Sequence, residues 1–365
     1  MRYAVKRERN SLSMKSLLRP VAVSVLTSIA LSSSMDGQDK LRIVATVPTY
    51  AAIAHELTGD LAQVEAIARG DQDPHFVNPR PSFAAMVQRA DLFIATGLDL
   101  ELWVPAIMDR ANNPKVREGA DGHVVAYSGV KLLQIPESVS RAGGDVHVFG
   151  NPHVHTDPIN GIIIARNIAA GLKRVDPANA TSYDANLSEF EEQVMARLFG
   201  EELLELLGTE TIFDLARNYE FWDFATSNSY QGKPLTEYVG GWLKQAEPFR
   251  DQRMVCYHKN WAYFSARFRI ECAMYIEPKP GIPASPGHVA EVIRFMESDN
   301  IPVLFAANYF SGSQVERVAA RARVKPIRVP EHVAGEEGVD DYWALVDLWV
   351  THLANAFQDW RPGHP

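Results

Sequence analysis

The run from Leu41 to Val47 is apolar and β-branched, and Pro48 stops it. It opens an alternation that limits the chain to one class of fold. A helical stretch from Tyr50 to Leu57 follows, then a second strand-like run from Gln63 to Ala68. Further on come a helix from Pro81 to Arg89, a strand from Asp91 to Thr96, a helix from Leu98 to Ala111 and a strand from His123 to Tyr127. Strands that alternate with helices predict a mostly parallel sheet covered by helices. The pattern resumes with strands at Arg253 to Tyr257, Ala273 to Ile276, Val303 to Ala306 and Pro326 to Val329. Helices at Trp261 to Phe268, Pro286 to Ser298 and Ser313 to Ala322 separate them, and one from Asp340 to Phe357 closes the chain. The expected class is therefore α/β, with two mostly parallel four-stranded lobes.

Asp157-Pro158 and Asp176-Pro177 each place an acidic N-cap before a proline at the first helical position. The second of these helices can run to about Leu207, roughly 45 Å at about 1.5 Å per residue, and is expected to be a stiff connector. This gives an N-terminal lobe at 41–175, a connector at 176–207, a C-terminal lobe at 208–357 and a tail at 358–365. Residues 208–250 offer no clear periodicity.

Three histidines sit in turns that follow predicted strands. They are His75 in Asp73-Pro74-His75-Phe76-Val77-Asn78-Pro79, His153 in Asn151-Pro152-His153-Val154-His155, and His258 in Tyr257-His258-Lys259-Asn260-Trp261. Open α/β sheets bind ligands at the carboxyl ends of their strands, where these turns fall. Val329-Pro330-Glu331-His332 adds a carboxylate and another imidazole at the last strand end. Neutral imidazoles with one carboxylate suit Zn2+, whereas Ca2+ or Mg2+ would need mostly oxygen donors. Asp71 and Asp73 could orient His75 by hydrogen bonding.

The net charge of −9, with no clustered Lys/Arg stripe, argues against a nucleic-acid partner. Basic residues from Arg2 to Arg19 precede an apolar run from Val21 to Leu31, which is too short to span a bilayer and is followed by Ser32, Ser33 and Ser34. That is the form of a secretory signal peptide, expected at 1–36 with cleavage between Ala30 and Gly37. No cysteine follows the run, so the expectation is a freely soluble periplasmic protein without a lipid anchor. Cys256 and Cys272 are the only cysteines and lie in strand-like runs, where they are expected to be reduced and structural.

The stretches Asp73-Pro74-His75-Phe76-Val77, Gly150-Asn151-Pro152-His153, His258-Lys259-Asn260-Trp261-Ala262-Tyr263-Phe264 and Glu277-Pro278-Lys279-Pro280-Gly281-Ile282-Pro283 carry a resemblance. Together they resemble the zinc/manganese-binding solute-binding proteins of ABC importers, the helical-backbone metal receptors, from about Leu41 to Phe357. The resemblance implies two α/β lobes joined by one long helix, with a single metal between them. It makes His75, His153 and His258 ligands and puts Glu331 near the fourth position, with His332 as the alternative one residue on. His155 stands where relatives often have an aromatic residue and is a further candidate. The chain has no long His/Asp-rich loop before the second ligand, only His147, His153 and His155.

The expected function is capture of a transition metal, Zn2+ ahead of Mn2+, by a monomer that delivers it to a membrane permease driven by a cytoplasmic ATPase. Two other readings compete. His153-x-His155 mimics the paired histidines of a metal-dependent hydrolase barrel, and a surface adhesin could use the metal structurally.

Overall fold

The computed structural model describes residues 40–136, 147–278 and 281–360. The signal-peptide expectation at 1–36, the Lys279-Pro280 pair and the end of the tail lie outside these residues.

The first half alternates β1 (Leu41–Ala45), α1 (Pro48–Thr58), β2 (Ala62–Ala66), α2 (Pro81–Gln88), β3 (Leu92–Ala95), α3 (Val104–Ala111) and β4 (His123–Val125). Two long helices follow, α4 (Pro158–Val175) and α5 (Ala180–Phe199). The short helices α6 (Glu201–Leu207), α7 (Thr209–Arg217) and α8 (Phe221–Ser227), a β5 (Ser229–Tyr230) and β6 (Lys233–Pro234) hairpin and α9 (Gly241–Gln245) fill the stretch without clear periodicity. Then come β7 (Arg253–Cys256), α10 (Ala262–Phe268), β8 (Glu271–Tyr275), α11 (Pro286–Ser298), β9 (Val303–Ala307), α12 (Gly312–Ala322), β10 (Lys325–Val329) and α13 (Tyr342–Asp359).

The two four-stranded sheets are wholly parallel and share one topology, β2-β1-β3-β4 and β8-β7-β9-β10. In each, the strand order reverses beside the first strand, the switch point at which such sheets open a crevice. Burial explains the composition. β3 and β9 are buried at every residue, as expected of strands covered on both faces.

Three local expectations fail for physical reasons. Leu98 and Asp99 adopt left-handed backbone (φ 58° and 61°), so α3 starts only at Val104. The single helix expected from Pro177 to Leu207 ends at Phe199, because Gly200 has φ +81° and its backbone lies against Gly240. A Cβ at Gly200 would stand 2.6 Å from Gly240 Cα, a contact that admits only glycine. The uninterrupted stretch, α5, packs on α1, α4 and α9 and is about 30 Å long. Finally, Cys256 and Cys272 are not free thiols but a disulfide, with Cα atoms 5.4 Å apart. β7 and β8 are neighbouring parallel strands with Met254 opposite Cys272, and the resulting Cα separation lies within the range a disulfide spans.

The halves meet through buried polar contacts. Asp157 caps α4 by accepting from Ile159 N, and its carboxylate also receives a two-pronged bond from Arg267 of α10 (2.8 and 2.9 Å). Both side chains are almost fully buried.

Candidate metal centre

Two of the three histidine turns are built alike. In Asp73-Pro74-His75, Asp73 Oδ1 accepts from both His75 N (2.9 Å) and His75 Nδ1 (2.8 Å). In Asn151-Pro152-His153, Asn151 Oδ1 accepts from His153 N (3.0 Å) and His153 Nδ1 (2.9 Å). An acceptor two residues upstream, with proline between, thus fixes the ring orientation and makes Nε2 the nitrogen that could face an ion. His258, just beyond β7, reaches the same state differently, its Nδ1 donating to the Glu277 carbonyl at 2.6 Å. Of the two acids expected to orient His75, Asp73 does so; Asp71 pairs instead with Arg69 on the surface.

The rings converge between the sheets. His75 and His153 centroids are 5.3 Å apart, and His153 and His258 centroids 6.4 Å. Glu331, separated from β10 only by Pro330, is fully buried with Oε1 at 3.8 Å from His153 Nε2. Two ligands of a tetrahedral zinc are separated by about 3.4 Å, so this pair is nearly at coordinating distance. Oε2 of Glu331 is occupied: Asn260 Nδ2 donates to it at 2.9 Å, and the Tyr309 hydroxyl donates a short bond. Oε1 has no hydrogen-bond partner among the described residues, and neither has His153 Nε2.

His332 and His155 are also fully buried and lie beside Glu331. Their rings stack at 4.4 Å with 20° between the planes. His155 Nε2 donates to the Glu331 carbonyl (3.2 Å) and His332 Nδ1 meets Thr49 Oγ1 (2.9 Å). His147 approaches from the loop before the second turn, with Nε2 at 3.1 Å from His75 Nε2.

Desolvation dominates the electrostatics. Burial pushes His258 and His155 down to about 4 and His147 to about 3, and it holds His153 and His332 well below the usual imidazole value. The same burial pushes the Glu331 carboxyl up to about 8. Neutral imidazoles keep the lone pairs a cation needs, and the carboxyl surrenders its proton when a cation arrives.

Sequence reasoning missed the group that holds Glu331. Tyr309 and Asn260 come from 22 and 71 positions away, with no local pattern to mark them. It also gave no role to Asn151, although the matching Asx-Pro-His of the two turns was a readable signal.

The fold and site can now be set beside known proteins. A crystal structure of ZnuA superposes with a TM-score of 0.63 at 20% identity, covering 87% of this chain and all of that one. A manganese-bound periplasmic metal-binding protein from Candidatus Liberibacter asiaticus gives 0.59 at 18% identity, with 87% and 100% covered. By sequence the chain is 24% identical to the iron-binding protein YfeA of Yersinia pestis, over 92% of this chain and 94% of that protein. It is 30% identical to the manganese ABC transporter substrate-binding lipoprotein PsaA of Streptococcus pneumoniae, over 45% of this chain and 51% of that protein. The family model of ZnuA, the periplasmic zinc-uptake complex component A, matches residues 43–197 and 233–356, and the chain belongs to that family.

Proposed function

We propose that this chain captures Zn2+ between its two lobes on His75, His153, His258 and Glu331 and hands it to the membrane permease of an ABC importer. The family is one of metal-binding receptors that serve ABC importers, not of enzymes, and two four-stranded sheets are not the eight-stranded barrel of the hydrolase reading. The observation that carries the reading is the preparation of the ring nitrogens. In all three turns Nδ1 donates to a fixed acceptor, so Nε2 is the nitrogen each ring can give to an ion. Three such imidazoles and one carboxylate oxygen favour zinc, while manganese is better served by more oxygen donors.

The relatives bearing manganese and iron in their names make the ion the point to test. Metal-free protein is titrated with Zn2+ and Mn2+ against a competing chelator, beside His75→Ala and His258→Ala. One tightly bound zinc, greatly weakened by either change, is the expected result. Tighter manganese binding overturns the choice of ion, and binding indifferent to both substitutions overturns the site. Delivery is tested by zinc-limited growth of cells that lack this protein and regain it in trans.

A further inference from the structure

His155 and His332 are left over by the four-ligand site, and their burial asks for an explanation. Among the described residues, His155 Nδ1, His332 Nε2, Glu331 Oε1 and His153 Nε2 are buried without a hydrogen-bond partner. Buried polar atoms are ordinarily paired, and four unpaired ones in a single place are a demand for a ligand. An ion on His75, His153, His258 and Glu331 satisfies two of the four. The other two belong to a separate group. His155, Glu331 and His332 each offer a ligand atom, and these three atoms lie within 4.8 Å of one another; on His155 it is Nε2, now donating to the Glu331 carbonyl, that stands 3.8 Å from Glu331 Oε1.

We infer that His155, Glu331 and His332 form a second, deeper seat for the captured cation, sharing Glu331 with the first. The inference rests on the capture reading above and extends it. Two imidazoles and one carboxylate oxygen make a donor set for a borderline divalent ion, with a position left for a water or a further ligand. The parts are held in place. Thr49 Oγ1 sits on His332 Nδ1, Tyr342 donates to the His155 carbonyl at 3.0 Å, and Trp349 Nε1 donates to the Pro330 carbonyl at 2.7 Å, just before Glu331.

The two seats exclude each other. Asn260 and Tyr309 hold Glu331 Oε2, so Oε1 alone must serve both. Two divalent ions against one carboxylate would also leave a large uncompensated charge in a dry site. The deeper seat is fully buried, whereas in the first seat His75 keeps 6% of its side chain exposed and His258 is 4% exposed, so an ion in the deeper seat is slightly the more removed from solvent.

The test removes the first seat and asks what remains. Zn2+ is offered to the wild type, to His258→Ala, and to His258→Ala combined with His332→Gln or with His155→Phe, in competition with a chelator. Far-UV circular dichroism selects the variants that fold, and two second substitutions are used so that loss of one to misfolding leaves the other. The wild type is expected to bind one zinc. His258→Ala should still bind one, about 100-fold or more weakly, and either added substitution should weaken that remainder at least tenfold again. If His258→Ala binds no zinc while the wild type does, the capture site stands and the deeper seat falls, its unpaired atoms being served by water. Residual binding indifferent to both added substitutions overturns it equally. Two zinc ions per wild-type chain overturn the exclusion, and a wild type that binds none overturns both readings.

Discussion

His153 Nε2 and Glu331 Oε1 face each other at 3.8 Å across the two halves of the chain, both buried and neither hydrogen-bonded among the described residues. A neutral ring and a protonated carboxyl tolerate this arrangement; a cation between them would complete it. Glu331→Gln separates these roles, since the amide keeps the shape and can still accept from Asn260 and Tyr309 but cannot supply an anionic oxygen. Zinc affinity is expected to fall by at least about 100-fold, more than the 10- to 100-fold typical of residues that merely orient a ligand. Calorimetric titration checks this, and a loss under tenfold removes Glu331 from the coordination sphere.

The metal-free protein should be most stable near neutral pH. In the unfolded chain each imidazole binds its proton near 6.5, while burial holds His155 and His258 at about 4 and keeps His153 and His332 well below the usual value. Between these values the unfolded state carries more protons, so stability falls as pH drops from about 6.5 to about 4. Glu331 has the opposite sign. Its folded carboxyl keeps its proton up to about 8 against 4.5 unfolded, so its contribution is lost as pH rises through that interval. Below 6.5 the several histidines outweigh Glu331, and above it their contribution is complete while that of Glu331 is still being lost. Melting temperatures from pH 4 to 9 should pass through a maximum near 6.5 to 7, and a continuous rise to pH 8 would contradict the buried protonated Glu331.

Gly70 and Gly335 place the loop after β2 against the loop after β10, backbone to backbone. A Cβ at Gly70 would stand 2.3 Å from both Gly335 N and the Val333 carbonyl, and one at Gly335 would stand 2.5 Å from the Gly70 carbonyl. One loop leads to His75 and the other follows Glu331 and His332, so their separation sets the span of the site. Gly70→Ala must move backbone, and a shift of about 1 Å is enough to loosen a preorganised site. Zinc binding should weaken roughly tenfold or more, about 1.4 kcal/mol. Gly287→Ala, in helix α11 with only Ser285 Oγ nearby at 3.9 Å, is the control and should leave affinity unchanged.

The strands and most helices were legible because each rests on a local pattern. Pro286–Ser298 has its Ser285 cap, its proline and its apolar spacing within one window, and it forms over the expected residues. The histidine turns were legible for the same reason, each carrying its proline or its strand end beside it. What could not be read depends on residues far apart. The stop at Gly200 needs Gly240 beside it, the disulfide needs β7 next to β8, and the partners of Glu331 come from β9's loop and from the turn before α10. Those relationships exist only after the chain has folded.

The Cys256–Cys272 bond should matter to stability far more than to metal binding. It closes a loop of 16 residues, and the chain-entropy argument gives such a cross-link roughly 3 kcal/mol by restricting the unfolded state. Cys256 lies two residues before His258, so the bond could also have been needed to hold that proposed ligand. The local contacts argue otherwise. His258 Nδ1 is tied to the Glu277 carbonyl, Tyr257 N and Glu277 N are both in main-chain hydrogen bonds, and Trp261 is fully buried just beyond. The double substitution Cys256→Ala, Cys272→Ala is therefore expected to lower the denaturation free energy by roughly 3 kcal/mol while changing zinc affinity less than about threefold. Urea unfolding of the metal-free variant, paired with zinc titration under conditions where it remains folded, separates the two effects. A large loss of affinity with little loss of stability would make the bond a support of His258 and not a constraint on the unfolded chain.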